Sequence, residues 1–173
     1  MTVEATHASG TWWRHVPAGA DVFYRPSHPA DMRWQHGDVV EGWYFADTPE
    51  TAWAEWYRWL AEAGLPPMQT LPRELWRWEV ALPRVADLST EARLSECGLG
   101  TPRPGMGDWP AFQEVGNELY RSGWQAALAP SAARLEGLVL CVFRDTRHPA
   151  GLRPLPPPAQ FDEPPTPPTG MRT

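Results

Sequence analysis

The sequence predicts an α+β fold, a compact mixed sheet with flanking helices. Three observations predict it. Leu138–Phe143 is an unbroken apolar run, as a strand buried on both faces requires. Trp76–Leu82 alternates, with Trp76, Trp78, Val80 and Leu82 on one face and Arg77 and Glu79 on the other, the pattern of a half-buried strand. Between them in kind is a helix with clear start and stop signals, running from Thr48 to Gly64. The chain has 173 residues, enough for one domain with a real core, or for one domain plus a tail.

The elements follow in order. Residues 1–10 are polar and are expected to be flexible. Trp12–Val16 reads as a short strand, and Ala18 to Asp38 as loop. Gly42–Ala46 is a short apolar strand that runs into the helix. There Thr48 is the N-cap, Pro49 takes the first helical position and Glu50 lies in the first turn; Gly64 with Pro66 and Pro67 ends the helix. Ser89 to Asp108, rich in Gly and Pro, reads as loop. Pro110–Ser122 is a second helix, with Phe112, Val115 and Leu119 on one stripe. The strands Trp124–Ala129 and Leu138–Phe143 complete a domain over residues 11–153. Residues 154–173 are mostly Pro, Thr and polar groups, a composition that predicts an extended or disordered tail.

Charge narrows the functions. The formal net charge is −6, which argues against direct nucleic-acid binding, because a sequence-blind grip on phosphates needs a basic surface. Every basic side chain is Arg and none is Lys. A substrate anion must therefore be held by guanidinium, backbone N–H or hydroxyl, and the guanidinium fork suits phosphate. Cys97 and Cys141 have no metal-site or disulfide spacing, so no metal is expected. The first ten residues lack the apolar core of a signal peptide, and no stretch has membrane-spanning length. These features read as a cytoplasmic protein with no membrane association.

The common catalytic signatures are absent: no Gly-rich phosphate loop, no His-Glu-x-x-His, no Gly-x-Ser-x-Gly. His7, His15, His28, His36 and His148 are scattered and read as surface residues. Glu55 is the odd residue of the first helix. Trp53, Trp56, Tyr57 and Leu60 form the apolar stripe, while Glu55 points elsewhere between Ala52 and Trp59. It reads either as a solvated partner of Arg58 or as a carboxylate set among aromatics. Arg33, Tyr44 and Ser131 each have an ordinary reading as well: surface cation, core ring and turn residue.

Together these residues resemble a family. Arg33-Trp34-x-x-Gly37 precedes Tyr44 in a short strand. A Thr-Pro-Glu-Thr-Ala-x-x-Glu helix follows, then Gly116-x-x-Leu119-x-x-Ser122-Gly123, then Pro130-Ser131. The pattern resembles the RES domain, over Trp12 to about Pro149, and Arg14 matches an Arg near the family's start. Gln35 stands where the family usually has Asn, and only His148-Pro149 remains of its Asn-Pro-x-His-Pro ending.

The resemblance implies an ADP-ribosyltransferase-like fold, NAD as substrate rather than cofactor, water or inorganic phosphate as acceptor, and neutralisation by an Xre-type helix-turn-helix antitoxin. Glu55 then faces the positive charge that develops on ribose as nicotinamide leaves. Arg33, with Arg14 second, would hold the pyrophosphate. Tyr44 and Trp34 would wall the nicotinamide, and Ser131 would hydrogen-bond a phosphate or the acceptor. Two other readings stay open: an ADP-ribosyltransferase acting on a macromolecule, and a non-catalytic nucleotide- or peptide-binding module. A homo-oligomer is also left open.

Overall fold

A computed structural model of the chain describes residues 3–172. Six strands form one sheet: β1 (Ala5–Pro17), β2 (Glu41–Ala46), β3 (Arg73–Asp87), β4 (Ala126–Pro130), β5 (Leu138–Arg144) and β6 (Leu152–Phe161). Three helices accompany them: α1 (Pro49–Ala63), α2 (Glu91–Glu96) and α3 (Trp109–Arg121). The strand order is β1-β2-β5-β4-β3-β6, and β1 also pairs along β3, so the sheet closes on itself. The predicted α+β class and mixed sheet are present: β3 and β4 are parallel and the other pairings antiparallel.

Closure is uneven. β1 follows β3 from Ala5↔Ala86 to Pro17↔Arg73, but meets β2 in register only at Trp13↔Ala46. The ends of β1 and β2 therefore diverge, and a cleft opens between them.

Alternate residues of β4 and β5 pack on opposite faces, as the pleat dictates. Ala126, Leu140 and Val142 join Trp12, Trp43, Phe45 and Trp78 in one core. Ala127, Cys141 and Phe143 join Phe112, Val115 and Leu119 of α3 in another. A third cluster packs Trp53, Trp56 and Leu60 of α1 on Leu75. α1 has its expected ends: the Thr48 side chain accepts from the Thr51 N–H, and Gly64 closes it in the left-handed region at φ 65°.

Two expectations fail at the chain ends. The flexible N-terminus does not extend to residue 10, because β1 already pairs at Ala5. The tail is not disordered over its described length. β6 lies antiparallel on β3 from Arg73↔Phe161 to Val80↔Leu152. The physical reason is that Pro suits an extended edge strand, where one row of N–H groups is not needed. Pro156, Pro157 and Pro158 fall where the register between Leu155 and Ala159 breaks. Beyond β6 the chain stays attached. Tyr57 Oη donates to the Pro165 carbonyl, Leu135 N–H to Gly170 at 2.8 Å, and Arg172 N–H to Ala133 at 2.8 Å. A smaller miss is α2, inside the predicted loop 89–108; Thr90 caps it by accepting from the Arg93 N–H.

Candidate active site

The cleft between β1 and β2 has a volume of about 480 Å³, within the range of small-molecule sites. α1 supplies Ala52, Glu55, Trp56 and Trp59 to its wall, a face adjacent to the buried stripe that sequence periodicity marks and sharing Trp56 with it. Glu55, Arg33, Arg14, Tyr44 and Trp34 all line it, so five of the six sequence candidates converge. The sixth, Ser131, is fully buried directly behind Glu55.

Glu55 is fixed at both oxygens. Ser131 Oγ donates to Oε1 at 2.6 Å, and Arg58 Nε donates to Oε2 at 2.9 Å. The hydroxyl is itself set by two backbone donors, Ala133 N–H and Arg134 N–H, each at 3.0 Å. Having spent its lone pairs on backbone, Ser131 must aim its proton at the carboxylate. Both readings of Glu55 are therefore present in one geometry: it pairs with Arg58 and it sits among aromatic side chains. Arg58 also binds Glu62. Burial lowers the Arg58 pKa, but the two carboxylates outweigh it and hold the net shift upward.

Arg33 lies in a segment pinned from behind by α3. Gln113 Nε2 donates to the Met32 carbonyl at 3.0 Å, and the His36 N–H donates to Asn117 Oδ1 at 3.2 Å. Gly116 lets the helix sit directly on this backbone; a Cβ there would be 1.7 Å from the Trp34 carbonyl oxygen. The Arg33 guanidinium is largely engaged. Nη1 pairs with Asp108, and Nη2 donates to the carbonyls of Arg103 at 2.5 Å and Gly105 at 3.1 Å. Burial pulls its pKa down against the opposing pull of Asp108.

Tyr44 is a positioning group at its hydroxyl. Oη accepts from the Trp34 N–H at 3.0 Å and donates to Gln35 Oε1 at 2.9 Å. Burial raises its pKa well above 10, so the phenol stays neutral. Gln35, the departure from the family pattern, thus holds Tyr44. Trp34 does not offer the free aromatic face expected of it. Its side chain is enclosed against Phe112, edge to face at 5.0 Å, because α3 packs over it. Trp13 and Trp59 carry the accessible rings of the wall.

Sequence reasoning missed several groups. His15 is not a surface residue: it stacks on Trp53 at 5.5 Å, and its Nδ1 accepts from Arg73 Nε at 3.1 Å and Nη2 at 2.8 Å. Burial, then the charges of Arg73 and Arg14, lower its pKa well below 6.5. The only signal was its place beside Arg14 on a strand. Arg144, fully buried, stacks on Trp43 at 3.8 Å and donates to the carbonyls of Phe23, Tyr24, Thr146 and Arg147. An Arg ending an apolar strand gives no hint of that duty. Among the described residues, no group of three or more His, Cys, Asp or Glu is arranged to hold a metal, and no helix is long and apolar enough to cross a membrane.

A closed mixed sheet carries a helix-borne carboxylate beside guanidiniums in an aromatic cleft of small-molecule size. The RES domain model matches residues 6–164, and the chain belongs to that family. In fold it is similar to a chain in the crystal structure of the M. tuberculosis MbcT-MbcA toxin-antitoxin complex. The TM-score is 0.75 at 22% identity, covering 91% of this chain and 86% of that one. No curated protein matches the sequence.

Proposed function

We propose that this protein cleaves the nicotinamide–ribose bond of NAD, with water or inorganic phosphate as acceptor, and acts as the toxin of a toxin–antitoxin pair. The observation that carries the reading is Glu55, held at both oxygens in an aromatic cleft rich in guanidinium. Membership of the RES family and likeness in fold to a chain of a toxin–antitoxin complex support it.

The C–N bond breaks with its electron pair going to nicotinamide, which leaves neutral, and the ribose C1 becomes cation-like. Glu55 offers that centre a preorganised negative charge. An oxygen of phosphate or water then bonds to C1; water also releases a proton. Of the two guanidiniums expected at the phosphates, Arg14 is the one free to bind, because Asp108 and two carbonyls take most of the Arg33 fork. Trp13 and Trp59, rather than Trp34, supply the free rings for nicotinamide, beside Tyr44. Ser131 acts through Glu55 as a positioning residue. NAD is a substrate here, not a resident cofactor. The partner is an Xre-type antitoxin, and the compartment is the cytoplasm.

The test is purified protein with NAD, with and without phosphate, with products identified. Glu55→Gln keeps size and removes charge, and should lower turnover about 100-fold or more with the fold intact. Near-native turnover by folded Glu55→Gln returns the residue to a structural ion pair. Labelled ADP-ribose appearing on a macromolecule would favour the transferase reading instead.

A further inference from the structure

Among the described residues, two guanidiniums in the cleft make no ion pair with a carboxylate. Arg14 lies over the Trp43 ring, 4.9 Å from its centroid, and among the described residues nothing accepts a hydrogen bond from it. Arg73, 8% exposed, spends Nε and Nη2 on His15 and leaves Nη1 unused. Arg can only donate, so His15 Nδ1 is an acceptor and its proton sits on Nε2, which also has no acceptor. None of these nitrogens is sealed away, and all three residues line the cleft.

Among the described residues Glu41 is the carboxylate whose charge acts on Arg14, and it also faces Arg25 and Arg144. Its Oε1 accepts from Trp43 Nε1 at 3.1 Å and Arg144 Nη1 at 3.3 Å, while Arg25 lies 3.4 Å from Oε2. Burying unpaired charge is costly, and burial brings both Arg14 and Arg73 down to a pKa of about 10. Arg73 is bonded to His15, and both line the same cleft as Arg14; donors that line one cleft without an acceptor are a seat for an anion.

We infer that Arg14, Arg73 and His15 form a phosphoryl-anion subsite, separate from Arg33, whose fork is largely taken by Asp108 and two carbonyls. A guanidinium pair matches a tetrahedral oxyanion, and the neutral imidazole adds a directional N–H. The subsite deepens the proposed NAD reading and rests on it. Its occupant is either a phosphate of the dinucleotide or the free phosphate acceptor; the chemistry is shared.

The experiment is calorimetric titration of the full chain with inorganic phosphate, with ADP-ribose, and with phosphate in the presence of ADP-ribose. Wild type is compared with Arg14→Gln, Arg73→Gln and the charge-retaining Arg73→Lys, each checked for folding by circular dichroism. A dinucleotide seat gives ADP-ribose binding at least tenfold weaker in both Gln variants, with phosphate competing. An acceptor seat gives phosphate binding alongside ADP-ribose, and only phosphate affinity falls. Wild type that binds neither probe, or folded variants that bind both as wild type does, overturns the subsite. Should the Gln variants not fold, unchanged affinities in Arg73→Lys overturn it, since one ammonium cannot reproduce the fork. Binding is read without turnover. Probe binding with NAD left intact overturns the reaction and keeps the subsite; NAD turnover with unaltered variant affinities overturns the subsite alone.

Discussion

Ser131→Ala separates positioning from ligand contact. The hydroxyl is buried behind Glu55 and makes three hydrogen bonds: one to the carboxylate at 2.6 Å and two from backbone N–H groups at 3.0 Å. A hydrogen bond to a charged group is worth roughly 1.5–3 kcal/mol, and each stranded buried donor costs about 1 kcal/mol more. The Ala133 N–H recovers part of this, because Glu55 Oε1 already lies 3.4 Å from it. The net cost is about 2–4 kcal/mol, a fall in Tm of roughly 4–16 °C for a domain of this size. Arg58 then holds Oε2 alone, so the carboxylate swings about that contact. Misplacement by about 1 Å costs on the order of 100-fold in rate. Thermal unfolding and NAD steady-state kinetics read both effects. The expected pattern is a kcat loss with KM nearly unchanged. A raised KM with kcat retained would refute the positioning role and make Ser131 a direct ligand contact.

Two other outcomes follow from the same contacts. Ending the chain after Phe161 keeps β6 but removes the Pro165, Gly170 and Arg172 bonds to Tyr57, Leu135 and Ala133, and the Arg172 Nη1 bond to Pro102 at 3.0 Å. At about 1 kcal/mol per bond, less the regained entropy, Tm should fall by roughly 5 °C or more. NAD turnover should drop with it, because Ala133 also orients Ser131; unchanged Tm and turnover would make residues 162–173 dispensable. Separately, His15 is neutral in the fold and titrates near 6.5 when unfolded, so below about pH 6.5 the unfolded chain binds the extra proton. Stability should therefore fall as pH drops from 6.5 to 5, by up to about 1.4 kcal/mol per unit, and His15→Gln should flatten that slope in urea titrations. An identical slope in the variant assigns the acid sensitivity to other groups.

What was legible in the sequence was whatever local periodicity writes down. α1 ends where Thr48 and Gly64 say, and β5 lies where the apolar run says. The grouping of Arg33, Tyr44 and Glu55 came from the resemblance to the RES domain, and all three line one cleft. Tertiary pairing was not legible. Arg73 begins a strand and His15 ends one; only the β1–β3 register, Pro17↔Arg73, brings them together. Trp34 was assigned to the ligand wall with Tyr44 from the resemblance, but its burial under α3 depends on Gly116, more than 80 residues away in the chain. The tail failed for a related reason. Composition speaks for a chain in isolation, whereas an open β3 edge gives an extended Pro-rich segment something to pair with.

The two carboxylates of the cleft show why Glu55 rather than Glu41 is suited to a developing cation. Glu41 faces Arg25 and Arg144, and Arg144 is tied to four backbone carbonyls around the 18–31 segment and the β5 end. Its charge is compensated by groups that cannot move without loosening that wall. Glu55 has one cationic partner, Arg58, which it shares with Glu62. Its other oxygen is held by a neutral hydroxyl, which fixes direction without cancelling charge. Around one guanidinium stand two carboxylates, so the local sum stays negative where Glu55 meets the cleft. Arg14 and Arg73 bring two further guanidiniums to the cleft, offset in part by Glu41. A ligand that carries both a cationic ring and phosphate anions suits a cleft lined by both signs of charge, which is the polarity of the oxidised nicotinamide dinucleotide proposed as substrate.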